Sequence, residues 1–205
     1  MKIKSIASIC KNNKSVILYE GKSCQWISDG AAIYPLFGLP KMTKENIFTM
    51  FDVPEEKQSG FYFDSKEELP SFCFSDADGG ERLLDRATLS VCAKGHVVEP
   101  LKTSLGIAFI NEKYLAPFGD CVNGFELYER VTKSGQVYIA VKEGFILLGI
   151  IMPYDLVNEE FVNDLNSLFQ LSSVALANKQ QAEREKERQR SLFAADNDDE
   201  EDEEQ

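Results

Sequence analysis

Apolar side chains stop recurring at Ala177. Between Asn178 and Arg190 only Ala182 is apolar, and from Asp196 to Glu204 eight of nine residues are acidic. Such a stretch cannot build a core, because buried apolar area is what offsets the entropy of ordering a chain. Everything that folds into packed layers must lie upstream. Residues 1–157 hold enough Val, Ile, Leu and Phe for one domain of ordinary size. The same division sorts the charge. The whole chain carries −12, but without the eight tail carboxylates 26 acidic residues face 22 basic ones, a balance of −4. The folded part is only mildly acidic. A basic stripe on it is allowed, whereas a surface that binds nucleic acid on every side is not.

Within residues 1–157 the punctuation is that of short strands. Lys2 to Cys10 and Ser15 to Tyr19 read as strands around an Asn12-Asn13 turn, and Cys24 to Ile27 follows a turn at Gly21-Lys22. Thr43 predicts an N-cap for a helix with Ile47, Met50 and Phe51 on one face, ended by Pro54. Residues 54–86 show no regular period. Their acidic run, Asp76 to Glu81, lacks the remaining ligands of a twelve-residue calcium loop and reads as an acidic turn. Thr88 to Ala93 and Val97-Val98 flank a turn at Lys94-Gly95, and Gly106 to Asn111 is a further strand. A helical turn at Glu112 to Leu115 is expected to stop at Pro117. Phe125 to Val131, Val137 to Lys142 and Phe145 to Met152 complete a meander through turns at Ser134-Gly135 and Glu143-Gly144. The class is α+β: antiparallel meanders with short helices, a long C-terminal helix and a disordered acidic tail.

The helix starts at Asn158, a good cap, with Glu159 and Glu160 at the positive end of its dipole. Val162, Phe169 and Leu176 recur every seven residues, with Leu165 and Leu168 filling the same stripe. This face is expected to pack on the sheet or on a partner helix, a second copy of the chain included. Past Ala177 opposite charges stand three apart at Glu183/Lys186, Glu185/Arg188 and Glu187/Arg190, the pattern of a solvated helix. The organisation is thus residues 1–157 as an α+β domain, 158–190 as a helix becoming a solvated arm, and 191–205 as a linear motif with an acidic tail.

Catalytic signatures are missing. There is no GxSxG, P-loop, GxGxxG, HExxH or paired-carboxylate pattern, and the only histidine, His96, follows a hairpin turn. Were the chain an enzyme, Cys92 and His96, four apart, would be the first residues to replace. Five cysteines without a CxxC pair argue against a disulfide framework and a zinc site, so no metal or cofactor is expected. No apolar run approaches 18 residues, so no membrane contact is expected, and the cysteine usage fits a reduced, cytoplasmic protein. Trp26 and the many Phe and Tyr residues sit at alternating, core-like positions.

The sharpest signal is Gln189-Arg190-Ser191-Leu192-Phe193, two bulky apolar residues between a polar helix and an acidic tail. The pentapeptide resembles the bacterial sliding-clamp-binding motif, Gln-x-Ser/Asp-Leu-Phe, through Gln189, Ser191, Leu192 and Phe193. The resemblance implies that the Gln189 amide binds at a pocket edge and that Leu192 and Phe193 fill an apolar pocket of the clamp. In the folded part, Phe109 to Leu115, three strands and Ile150-Ile151-Met152-Pro153 look like the last domain of a bacterial sliding clamp. Val16 to Gly21 is echoed by Tyr138 to Gly144, which is compatible with related halves at 1–64 and 87–156. The function these resemblances imply is that of a non-enzymatic DNA-replication or repair accessory, of bacterial, phage or mobile-element origin. Two alternatives stand beside it: an oligomeric assembly protein, and a single-stranded-DNA binder regulated by its acidic tail.

Overall fold

The computed structural model of the protein describes residues 2–122 and 124–198; Met1, Asn123, 199–205 and the side chains of 189–198 lie outside it. The chain forms two compact units, one ending at Asp155 and the other beginning at Leu156. The first opens with helix α1 (Ile3–Asn13), where a strand was expected. Ile3, Ile6, Ala7 and Cys10 stand at i, i+3, i+4 and i+7, a helical repeat hidden by the β-branched isoleucines. Ile6, Ala7, Ile9 and Cys10 are buried. The helix stops at Lys14, whose left-handed backbone (φ 49°) returns its N–H to the carbonyls of Cys10 and Lys11.

Strands β1 (Ser15–Glu20), β2 (Gln25–Ser28) and β3 (Ala32–Pro35) then form an antiparallel meander. Helix α2 (Lys44–Met50) has the expected cap, with Thr43 and Asn46 in a reciprocal capping box. It ends at Phe51 and Asp52 (φ 53°), before Pro54, which instead opens the short helix α3 (Glu55–Gln58). These helices make the crossover that lets β4 (Tyr62–Lys66) pair with β1 in parallel, a departure from the all-antiparallel expectation. After β5 (Arg82–Leu84) come β6 (Val91–Ala93), β7 (His96–Thr103) and β8 (Gly106–Asn111), a separate three-stranded antiparallel sheet. Its first hairpin turns at Lys94 and Gly95, both with positive φ (51° and 77°), the twist that suits two-residue hairpins.

A 3-10 helix, Glu112–Phe118, follows and runs through Pro117 rather than stopping before it. Asn111 caps its start, the Pro117 carbonyl accepts the Lys2 N–H at 2.7 Å, and Tyr114, Leu115 and Phe118 are buried beneath it. A second meander, β9 (Glu126–Val131), β10 (Val137–Glu143) and β11 (Ile146–Ile151), completes the unit. Phe145, expected inside the last strand, lies in the turn before it and is 90% exposed.

The two helix-plus-meander units join where β11 pairs antiparallel with β3, Ile150 opposite Ile33. One eight-stranded sheet results, in the order β4-β1-β2-β3-β11-β10-β9-β5. The echo noted in the sequence links β1, first in its meander, with β10, second in the other, so it reflects two hairpins rather than equivalent positions. One sheet face, including Val16, Leu18, Ile139, Val141 and Ile151, packs with α1, α2 and the 3-10 helix. The opposite face, including Trp26, Ile33, Tyr138, Ala140 and Ile150, is covered by Leu69, Phe72 and Phe74 from the irregular segment between β4 and β5. Trp26 is buried among these aromatics, 4.8 Å from the Phe74 ring centre.

Gly149 sits at the seam of the two meanders. A Cβ there would come within 3.0 Å of both the Ile33 carbonyl and the Phe118 ring. Gly149→Val is therefore expected to destabilise by about 1–3 kcal/mol through overpacking. Scanning calorimetry should record a Tm lower by roughly 2–10 °C; an unchanged Tm would mean that the seam has room for a side chain.

Candidate functional site

The second unit is dominated by α4 (Glu159–Asp198). Its N-terminus is set as expected: the Asn158 side chain accepts the Phe161 N–H at 2.8 Å, and its carbonyl accepts the Val162 N–H at 3.0 Å. The helix continues past the expected end at residue 190. No Gly or Pro follows Pro153, and Lys179/Glu183 and Gln181/Glu185 pair at the i, i+4 spacing. The predicted interaction face is open to solvent: Val162, Leu165, Leu168, Phe169 and Leu176 are all exposed. Leu171 and Val174, which the seven-residue repeat leaves out, are exposed as well. A strict heptad count could not find them; a count of every apolar residue between charges would have done so. The side chains of Gln189, Ser191, Leu192 and Phe193 lie outside the described residues, as does the tail from 199 onward.

On the first unit two buried cations share one carboxylate. Arg130 on β9, fully inaccessible, donates from Nε and Nη2 to Glu81 Oε2 at 2.9 and 2.5 Å. Lys142 on β10 donates to the other oxygen, Glu81 Oε1, at 2.6 Å. Arg130 also donates to the carbonyls of Cys73, Ser75 and Asp76, and the Leu147 N–H donates to the Asp76 carboxylate at 2.9 Å. The acidic turn is thus a clasp. It fastens residues 69–81 over the second sheet face. Burial alone would raise the Glu81 carboxyl, but hydrogen bonds from Lys142 and Arg130 outweigh it and hold the group below the usual carboxylate range. Beside the clasp lies a cleft of about 710 Å³ bordered by Phe72, Cys73, Asp78, Lys133 and Tyr138, where the Tyr138 hydroxyl accepts the Cys73 N–H at 2.9 Å.

Two further glutamates are buried against arginines. Glu129 accepts from Arg82 at 2.6 Å and from both the N–H and the hydroxyl of Ser104, tying β9 to the β7–β8 turn. Burial would raise its carboxyl, and the Ser104 and Arg82 donors hold it low. Arg86 grips Glu99 bidentately at 2.9 and 2.7 Å. Arg82, Arg86 and Arg130 are the only arginines before residue 156. Any basic surface on this unit therefore draws mostly on lysines, which bind phosphate as point charges rather than forks, since all three guanidiniums are paired with glutamates.

Of the residues considered for chemistry, Ala93 stands opposite His96 in the hairpin register and Cys92 opposite Val97. Alternation sends Cys92 and His96 to opposite faces, and His96 lies edge-on to Tyr154 with ring centres 5.5 Å apart. The five cysteines form no disulfide, and burial, followed by the Asp29 charge, raises the Cys10 thiol to about 12. Among the described residues no group of three or more His, Cys, Asp or Glu is placed to hold a metal ion, and no helix is long and apolar enough to cross a membrane. Comparison with protein families, with curated proteins and with solved structures returned no match.

The clasp has a pH signature. Because the folded carboxyl of Glu81 lies below its ordinary value of 4.5, its ionisation stabilises the fold above that pH. The contribution is lost as pH falls through the lower, folded value. Glu81→Gln leaves Arg130 and Lys142 buried without their anion and should cost about 3–5 kcal/mol at pH 7. Denaturant titrations stepped from pH 7 down to about pH 2 should show a smaller acid-induced loss for the variant than for the wild type. Equal losses in both would mean that Glu81 does not carry the effect.

Proposed function

We propose that this chain is a non-catalytic accessory of DNA replication or repair that is tethered to a bacterial sliding clamp by Gln189, Ser191, Leu192 and Phe193. The observation that carries the reading is the match of Gln189-Arg190-Ser191-Leu192-Phe193 to the clamp-binding pattern at all four specified positions. The lead-in supports it: every residue from 178 to 188 is exposed, and only Ala182 among them is apolar. A peptide that must enter a pocket on another molecule needs such a solvated stem. Burying Leu192 and Phe193 gains about 3–6 kcal/mol before ordering costs, which leaves a micromolar-class anchor. The anchor concentrates the α+β unit at the clamp, and that unit supplies whatever further contacts the task needs. On this reading the protein works in the cytoplasm of a bacterium, encoded by the host, a phage or a mobile element.

The test is binding of the purified full chain to an immobilised bacterial sliding clamp, beside the double variant Leu192→Ala/Phe193→Ala. Micromolar or tighter binding, weakened at least a hundredfold in the variant, is the expected result. A wild type that does not bind, or a variant that binds equally well, overturns the tether.

A further inference from the structure

We infer that α4 is an assembly surface for other copies of this same chain, through residues 162–176. On a helical projection Val162, Leu165, Leu168, Phe169, Ala175 and Leu176 fall within a sector roughly 140° wide, broader than the seam of a two-stranded coil. In heptad terms they occupy a, d and g positions, the face of a helix inside a bundle. Every one of these side chains is exposed, from 37% at Leu165 to 68% at Phe169. Leu171 and Val174, 68% and 59% exposed, extend the apolar surface round the helix in this stretch. At roughly 80–100 Å² for each large side chain, two copies would bury on the order of 1,200 Å², within the range of a specific interface.

Two further features select the occupant. No charged residue lies between Asp164 and Lys179, and the charges immediately before this stretch are the acidic Glu159, Glu160 and Asp164. A helix that lies on an anionic lipid surface carries Lys and Arg along its polar face, and this one has none there. Two of the three serines in the stretch are bonded within the helix, and the third, Ser172, stands at the second d position. Ser167 donates to the Asn163 carbonyl at 3.0 Å and Ser173 to the Phe169 carbonyl at 2.8 Å, so neither brings an unpaired hydroxyl to a dry interface. An apolar surface bordered by one acidic residue, Asp164, and interrupted by one small polar residue, Ser172, is complementary to a second copy of itself. Identical chains supply that complement at every encounter.

Sedimentation velocity on the full chain tests the inference without touching residues 189–193. The wild type should sediment as a multiple of 23.1 kDa at tens of micromolar and dissociate on dilution. Leu165→Glu/Phe169→Glu should remain at the monomer mass at every concentration, whereas Asn163→Glu, on the polar side, should behave as wild type. Helicity at 222 nm, read on the same samples, should rise with concentration for the wild type and for Asn163→Glu but not for the double variant. A wild type that stays monomeric at 100 µM overturns the proposal, whether the face is then found to take lipid vesicles or another protein. Persistence of the oligomer in the double variant overturns it equally. Loss of clamp binding in Leu192→Ala/Phe193→Ala would leave the sedimentation result unchanged, so the tether and the assembly surface fail separately.

Discussion

Two cations buried on a sheet face, and the one carboxylate that reaches both, organise this fold. Arg130 and Lys142 would each be costly in an apolar layer, and Glu81 reaches both with separate oxygens. The remaining guanidinium hydrogens go to three main-chain carbonyls, and no buried side-chain nitrogen or oxygen among the described residues lacks a partner. That arrangement allows a segment without helix or strand to do what a helix does in most two-layer folds. It holds Phe72 and Phe74 against Trp26 and Tyr138, so the second sheet face is sealed. Asp76, bonded to Leu147 N–H, carries the fastening on to β11.

The other two arginine–glutamate pairs repeat the device at the junction between the two sheets. Glu129 reaches from β9 to the β7–β8 turn, and Glu99 on β7 is gripped by Arg86 from the segment after β5. Each of these carboxylates is buried and each arginine is partly exposed, so each cation is only partly stripped of water. Structural work therefore engages all three guanidiniums of this unit, each of them paired with a glutamate.

How much of this was legible depends on the range of the forces involved. Turns set by local chemistry, such as Lys94-Gly95 and Ser134-Gly135, and the Thr43 cap are where the sequence puts them, because neighbours in the chain decide them. The start at α1 was missed because isoleucine prefers strands, whereas the helical spacing of Ile3, Ile6, Ala7 and Cys10 matters only once a sheet lies beneath them. The segment 69–81 was opaque for the opposite reason. Its partners, Arg130 and Lys142, stand 49 and 61 residues away from Glu81, and no local pattern announces a salt bridge. Of the candidate site, the heptad stripe of α4 was readable, while Leu171 and Val174 were not, since a seven-residue count sees one side of a helix.

The spacing of the clasp also sets an order of events during synthesis. Glu81 leaves the ribosome 61 residues ahead of Lys142, a lead of roughly 3–12 s at ordinary elongation rates. Throughout that interval the first meander and its aromatic cover exist without the strands that would lock them. The central pairing of β3 must likewise wait for β11. The amino-terminal half therefore cannot mature on its own, and folding waits for the chain to be made through Ile151. The apolar stretch of α4 emerges next, so copies can meet through it only after each domain has the sequence it needs to close.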